Sequence, residues 1–448
     1  MLISSSGLSK VKDSVKEKFF FGNEPTSDLL AILTVYFVEG ILGLARLAVS
    51  FFLKDELGLN PAQVSALLGI TLLPWTVKPL FGLLSDSLPI LGYRRRPYLV
   101  LSGILGAISW LSLATVVHTT MTAIVAITLS SVSVAVSDVI VDSIIVERAR
   151  GESQAQAGSL QSLSWSAIAL GSIITAYFSG LLLQYFTIRS VFGITALFPL
   201  IVSAVAWLIA ESPVSQAVEE NNHSNHSTLK HQLEQLRKAI TQKAVWLPTA
   251  FLFIWQAMPS ADSAFFFFST NELHFQPEFL GRVNLVTSFA SLVGIWIFQR
   301  FLKNVPFRVM FGWSNVISVA LGMTMLLLVT HTNRTLGIDD HWFSLSDSLI
   351  LTAMGKIAYM PVLVLAARLC PLGVEATFFA LLMSIRNLAG LLSHEMGAIL
   401  TYWLGITETN FDALWLLVIM MNIIKLTPLL FLNWLPTADQ TQPATLQA

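Results

Sequence analysis

The sequence predicts an all-α integral membrane protein: twelve transmembrane helices arranged as two six-helix bundles, with both termini cytoplasmic. Three observations predict it. Of the 448 residues, 54% are hydrophobic and only 12% charged, about half the charged share of a soluble domain. Apolar runs of about 20 residues, the length that crosses a bilayer core, recur twelve times along the chain. Lys and Arg concentrate in alternate loops, the asymmetry that orients membrane helices.

The runs lie near residues 29–53, 61–84, 98–117, 121–146, 157–186, 190–210, 245–270, 278–301, 307–330, 346–368, 377–403 and 411–433. Ahead of them Lys10, Lys12, Lys16 and Lys18 alternate with Asp13, Glu17 and Glu24. A signal peptide would place an apolar segment there, and a transit peptide would exclude the acids. The stretch Glu211 to Lys243, with Glu219, Glu220, Asn221 and His223, is too polar for a bilayer and splits the runs six and six. The chain therefore divides into a cytoplasmic tail (1–27), a six-helix bundle (28–211), a cytoplasmic linker (212–243), a second six-helix bundle (244–434) and a C-terminal tail (435–448). The N-terminal tail and the loops beginning at Leu84, Glu147, Glu211, Arg300 and Arg368 hold 17 of the 26 Lys and Arg residues, whereas the opposite loops hold Lys54, Arg189 and Arg334. The first set is the cytoplasmic one.

Several function classes fall away. A net charge of -1 offers no basic footprint for nucleic acid. The lone Cys370 excludes a disulfide framework and a Cys-based zinc site. No metal-ligand cluster, Gly-x-Ser-x-Gly elbow or phosphate-binding Gly-x-x-x-x-Gly-Lys-Ser/Thr segment is present, so neither an enzyme, nor a cofactor, nor ATP hydrolysis is expected.

What remains is a polar pathway through an apolar body. Pro97 to Ser137 carries no charge except the weakly basic His118, and Asp138 and Asp142 follow it one helical turn apart. An ionised carboxylate in lipid costs several kcal/mol, so the pair must face protein or a water-filled cavity. At about 1.5 Å per residue, Asp138 lies about 13 Å in from Glu147, close to the midplane, and Asp142 about 8 Å. Glu39 is equally central, with Arg46 at i+7 on nearly the same face. Asp262, Lys356 and Arg386 fall inside runs too, and Gln161, Gln256, Asn271 and Asn387 are further polar candidates. Neutralising pairs, Glu39 with Arg46 and Arg386 with Glu395, compete with binding roles for these residues. His394 beside Glu395 reads either as a proton relay or as a satisfied buried His.

The two halves echo each other. Arg148-Ala-Arg150-Gly151-Glu152 follows the fourth run, and Arg368, Gly373 and Glu375 recur in that order after the tenth. After the second run stand Gly82-Leu-Leu-Ser-Asp86 and Gly92-Tyr-Arg94-Arg95-Arg96-Pro97. This loop resembles the signature loop of the major facilitator superfamily. The longer spacing through Ser87 to Leu91, the preceding Val77-Lys78-Pro79, the segment Ser137 to Arg150, the aromatic run Phe265 to Phe268 before Thr270-Asn271-Glu272-Leu273, and Pro277-Glu278-Phe279-Leu280-Gly281-Arg282 resemble the folate-biopterin transporter family within it.

The resemblance implies the major facilitator fold, a cavity lined by spans 1, 4, 7 and 10, and a folate or pterin carried by alternating access. A pterin edge offers paired donors that a carboxylate accepts in bidentate fashion, with Asp138 the first candidate and Asp142 the second. Folate carboxylates need cations, for which Arg46, Lys356 and Arg386 are candidates. Trp165, Trp255 and Phe265 to Phe268 are candidates to sandwich the ring. Gly82, Asp86, Arg95, Arg96, Arg148, Arg282, Arg368, Gly373 and Glu375 are expected to gate. Burial beside a like charge equips one of Asp138 and Asp142 to exchange a proton, so proton symport is expected, with facilitated exchange as the alternative. The other partners are the lipid bilayer and no nucleic acid, with the protein working as a monomer. The expected location is the plasma (inner) membrane of a cyanobacterial-type cell, or a plastid envelope. Two rival readings stand beside this one: an exporter of other amphipathic organic anions or drugs, and a non-transporting pigment or assembly factor on the same fold.

Overall fold

The computed structural model describes residues 20, 23–149, 154–213, 242–302, 305–369 and 375–435. Its first helices are α1 (Ser27–Ile41), α2 (Leu44–Phe51), α3 (Pro61–Ile70), α4 (Leu73–Thr76), α5 (Lys78–Ser87), α6 (Arg96–Thr115), α7 (Thr120–Ala149), α8 (Gln154–Tyr185), α9 (Ile188–Thr195) and α10 (Leu197–Val205). After the central stretch come α11 (Lys243–Gln256), α12 (Asp262–Phe267), α13 (Pro277–Ile297), α14 (Phe307–Gly322), α15 (Met325–Val329), α16 (Thr332–Thr335), α17 (Asp340–Leu369), α18 (Glu375–Trp403) and α19 (Leu414–Ile424). Among the described residues no strand forms beyond an isolated bridge between Ile90 and Tyr93. Nine described stretches are long and apolar enough to cross a membrane, so the protein is an all-helical membrane protein.

The first apolar run is not one straight helix. α1 starts on the Thr26 side chain, which accepts from the Leu29 amide at 3.3 Å. It ends at Ile41 because the Thr175 hydroxyl of α8 donates to the Gly40 carbonyl at 3.3 Å, diverting an oxygen of the helical ladder. α2 resumes at Leu44, so the i+7 register between Glu39 and Arg46 is lost. The seventh run breaks likewise between α11 and α12. Pro259 cannot donate there and restricts Met258, and the Ser260 carbonyl abuts Gly397 so closely that any Cβ at Gly397 would collide with it.

The chain repeats itself in its backbone as well as in its sequence. π-helical turns occupy Phe52–Glu56 and Phe268–Glu272. In the first, the Leu57 amide donates to Phe52 at 3.1 Å and the Leu59 amide to Leu53 at 3.0 Å; in the second, Leu273 donates to Phe268 at 3.1 Å and Phe275 to Ser269 at 2.9 Å. Each turn is closed by a residue of positive φ, Gly58 at 63° and His274 at 55°. Each is followed by a proline at the start of the next helix, Pro61 and Pro277. Gly58 has no atom within 4 Å of where its Cβ would stand, so backbone strain alone selects glycine. Gly58→Ala therefore lowers stability by about 1–2 kcal/mol, measured as a drop in melting temperature in detergent.

Two compact units divide the chain: Met1–Val49 with Lys78–Gln216, and Ser50–Val77 with Ala217–Ala448. In unit 1 the core joins Ile32 and Val35 of α1 to Leu99 of α6, Ile140 and Val141 of α7, and Val202 of α10. α6 and α7 are also linked by buried serines: Ser102 and Ser137 share a hydrogen bond of 2.9 Å, and Ser133 donates to the Ser102 carbonyl at 2.6 Å. Such bonds are worth about 0.6–2 kcal/mol each in a membrane, and here they fix the rotation of α7 one residue before Asp138. In unit 2 one core gathers Ala264, Phe268, Leu328, Leu414 and Leu417. Another packs Phe251 against Phe311, ring centroids 5.1 Å apart, with Val362 and Leu365.

Candidate functional site

Three helices of unit 1 bring five polar side chains together. On α1, Tyr36 and Glu39 stand at i and i+3 and share a face. On α7, Asp138 and Asp142 do the same at i and i+4. Lys78 opens α5, where a cation faces the positive end of the helix dipole, so its place there needs anions nearby. It has them: the ammonium group forms an ion pair with Asp138 Oδ2. The Tyr36 hydroxyl donates to Asp142 Oδ1 at 2.5 Å. The Glu39 carboxyl lies in the field of Asp138, Lys78 and Asp142, so three acids and one cation meet in this cluster.

The cluster borders a small cavity lined by Glu39, Asp138, Val35, Ser133, Ser137 and Pro199. Asp138 is 8% exposed, whereas Asp142 keeps an exposed face. The structure thus joins Glu39, Asp138 and Asp142 but sends Arg46 past the helix break to an exposed position on α2. The partnership expected of Glu39 with Arg46 gives way to one with Asp138, for the geometric reason given above. Two members escape sequence reasoning as site residues. Lys78 is legible only as one of several basic residues within the apolar runs, and its signal is its position at a helix start beside Pro79. Tyr36 is one of 7 tyrosines, marked by nothing except its i−3 spacing from Glu39.

Unit 2 brings two cations to one aromatic ring. Lys356 and Tyr359 lie one turn apart on α17, and Arg386 reaches the same ring from α18. Arg386 also borders, with Gln256, Thr249 and Met383, a narrow cleft. The expected pairing of Arg386 with Glu395 does not occur: Glu395 Oε1 is buried without a hydrogen-bond partner. His394 enters through its backbone, whose carbonyl accepts from Ser65 at 3.0 Å, and this contact is structural. Asn387 donates to the Trp75 carbonyl at 3.0 Å, and Asn271, in the second π turn, to the Glu408 carbonyl at 2.8 Å. Asp262 is exposed at the start of α12 and lies in the field of Lys425. Of the aromatic candidates, Phe267 and Phe268 are core residues, Trp255 packs on Phe311 at 5.9 Å, and Trp165 is exposed.

Of the residues expected to gate, Arg95 and Arg96 are bound into the loop before α6. Leu91 and Gly92, with φ of 54° and 80°, form a tight turn closed by the Ile90 and Tyr93 bridge; this turn absorbs the insertion noted in the sequence. The Glu211 carboxylate accepts from the backbone amides of Arg94 at 2.6 Å, Arg95 at 2.9 Å and Arg96 at 3.0 Å, an anion seated on a helix N-terminus. Arg96 Nε donates to the Ile209 carbonyl at 2.5 Å, and the buried Arg95 donates to Ser85 Oγ at 3.0 Å. Gly82 lies against Val139, and a Cβ there would make ordinary contact at 3.4 Å. Arg282 pairs with Glu278 one turn earlier on α13. Gly373 lies outside the described residues, as do the side chains of Asp86, Arg148, Gln161, Arg368 and Glu375.

With this geometry established, the chain can be set beside known proteins. The family model described as the BT1 family matches residues 39–446. A folate-biopterin transporter of Synechocystis sp. is 59% identical over 429 residues, covering 96% of this chain and 86% of the relative. Folate transporter 2 of Plasmodium falciparum is 30% identical, covering 98% of this chain and 93% of its own length. Among solved structures, a D-xylose-proton symporter superposes with a TM-score of 0.67 at 14% identity, covering 93% of this chain and 99% of that one, a likeness of fold with the major facilitator transporters. By sequence along nearly its whole length, this chain belongs to the BT1 family, the family of folate-biopterin transporters.

Proposed function

We propose that the chain is a proton-coupled secondary carrier of folates or pterins working by alternating access. The observation that carries this reading is the acidic cluster of unit 1, in which one cation serves three carboxyl groups among apolar helices. Such a cluster is expensive in a membrane and is kept for a pathway. The relatives named above supply the cargo, and its chemistry fits: a pterin edge presents an amino group beside a ring N–H, and a carboxylate accepts both.

The roles divide by accessibility. Asp142, with one oxygen held by Tyr36 and an exposed face, takes the pterin edge. Asp138, engaged by Lys78, keeps charge balance, and Glu39 carries the coupling proton. This assigns ring recognition to Asp142 ahead of Asp138. Around that centre we assign twelve spans in bundles 28–211 and 244–434, joined by the linker 212–243, with both termini cytoplasmic. Asp86, Arg95, Arg96 and Arg148 then belong to the first bundle's cytoplasmic gate, and Arg368, Gly373 and Glu375 to the second's. The carrier works as a monomer in the plasma membrane.

Uptake of labelled folate into vesicles containing the purified protein tests this. Wild type is expected to accumulate folate when an inward proton gradient is imposed. Glu39→Gln is expected to lose accumulation but keep exchange of folate against folate, because the amide cannot release a proton. Asp142→Asn is expected to lose both. Accumulation by Glu39→Gln equal to wild type would remove the coupling role, and unchanged exchange by Asp142→Asn would remove the ring site.

A further inference from the structure

We propose that Lys356, Arg386 and Tyr359 form an anion subsite in unit 2 that takes the carboxylates of a tail-bearing substrate and so sorts folates from tail-less pterins. The proposal rests on the folate-or-pterin reading of the cargo. Its basis is a charge imbalance opposite in sign to that of unit 1. Lys356 Nζ lies 5.8 Å from the centroid of the Tyr359 ring and Arg386 Cζ lies 5.2 Å from it. Two cations therefore share one aromatic face pair, all three side chains half-buried within α17 and α18.

No carboxylate among the described residues pairs with either cation. Lys356 feels Arg386 as its charged neighbour, and the hydrogen-bond contact of the Arg386 guanidinium is the Met383 sulfur at 3.9 Å. Like charges held together in a membrane helix pair are a standing cost, only partly offset by the cation–π contacts to the ring. In unit 1 the half-buried Lys78 carries its counter-ion with it. Here no counter-ion stands among the described residues.

The donor set says which anion. Arg presents a planar fork matched to a carboxylate, and Lys adds a compact point charge with rotatable donors. Together they suit two carboxylates on one short chain, the pattern of a glutamyl tail. The cleft beside Arg386 has mostly apolar walls, including Leu252, Phe253 and Val362, with Thr249 and Gln256 as polar points, which suits an aromatic acyl group attached to such a tail. Pro361, two residues after Tyr359, removes one backbone donor from α17 and loosens the helix at this level. Tyr359 is the specificity residue that sequence reading passes over, because its role exists only where both cations meet its ring.

The test compares folic acid with its dimethyl ester, which keeps the ring and the acyl group but carries no tail charge. Binding is measured on purified protein in lipid nanodiscs, by competition against labelled folic acid. Wild type is expected to prefer the acid by about tenfold or more, the equivalent of one charge-assisted contact. Arg386→Gln and Lys356→Gln are expected to weaken binding of the acid by that factor and leave the ester unchanged, so that the preference falls towards one. Arg386→Lys is expected to fall between them and wild type, having charge without the fork. An unchanged acid-to-ester ratio in both Gln variants overturns the proposal, as does a wild type with no preference. Equal weakening of acid and ester does too, and melting temperatures identify a variant that is merely misfolded. A wild type that binds neither compound overturns the cargo reading itself.

Discussion

Asp138→Asn and Lys78→Gln carriers each lose folate uptake and melt at lower temperature than wild type, while the double variant regains most of the stability and none of the uptake. The ion pair between these residues is the reason. Removing one member of a buried pair leaves an uncompensated charge and costs about 3–5 kcal/mol, whereas replacing both is near neutral. The lower end applies here, because Glu39 faces Lys78 and can take over part of the work of Asp138. The coupling is read from a double-mutant cycle on melting in detergent, with uptake measured beside it. Single variants that melt like wild type, or a double variant as unstable as the singles, would show that the pair carries no such energy.

Glu211→Ala destabilises the protein by about 3 kcal/mol, and Arg94→Gln leaves stability within about 0.5 kcal/mol of wild type. The contrast separates charge from backbone. Glu211 serves three amides at the start of α6 with one carboxylate, so its loss removes three charge-assisted bonds and a favourable anion from the positive end of a helix dipole. Arg94 contributes an amide to that arrangement and survives as Gln in the same role. Glu211→Gln falls between, since one oxygen still accepts while the charge is gone. Equal melting temperatures for Glu211→Ala and wild type would mean that water replaces the carboxylate without loss. The consequence reaches the arginine cluster as a whole. Charge counting assigns Arg94, Arg95 and Arg96 to orientation and gating, while in the fold their backbones and the Arg96 side chain tie the loop to the end of the sixth apolar run.

What was legible in advance follows from the periodic and the energetic. Helices cover the apolar runs because a bilayer-length apolar stretch has few other ways to satisfy its backbone. Asp138 and Asp142 stood out because charge in such a stretch is rare, and the structure places them at a shared site with Glu39. Spacing failed where a helix failed to run straight. The Thr175 hydroxyl against Gly40 comes from a helix far along the chain, so no local pattern could announce the break that parts Glu39 from Arg46. Phe267 and Phe268 lie in the core for another reason: such rings are as useful in a core as on a ligand, and their burial depends on what surrounds them.

By itself the sequence determined the membrane setting, the helical class and the presence of costly intramembrane charges, because each depends on composition or on distance along one helix. The repeat of the π turns was also written there, in Phe52 to Pro61 and Phe268 to Pro277, though its meaning emerged only from matching hydrogen bonds. Partnership was decided by tertiary structure alone. Which acid holds Lys78, which carboxylate remains exposed beside Tyr36, and why Lys356 and Arg386 meet on one ring all depend on the rotation and approach of helices distant in sequence. Electrostatic energy falls off over a few ångströms in such surroundings, so the chemistry of these charges is fixed by contacts that one-dimensional spacing does not contain.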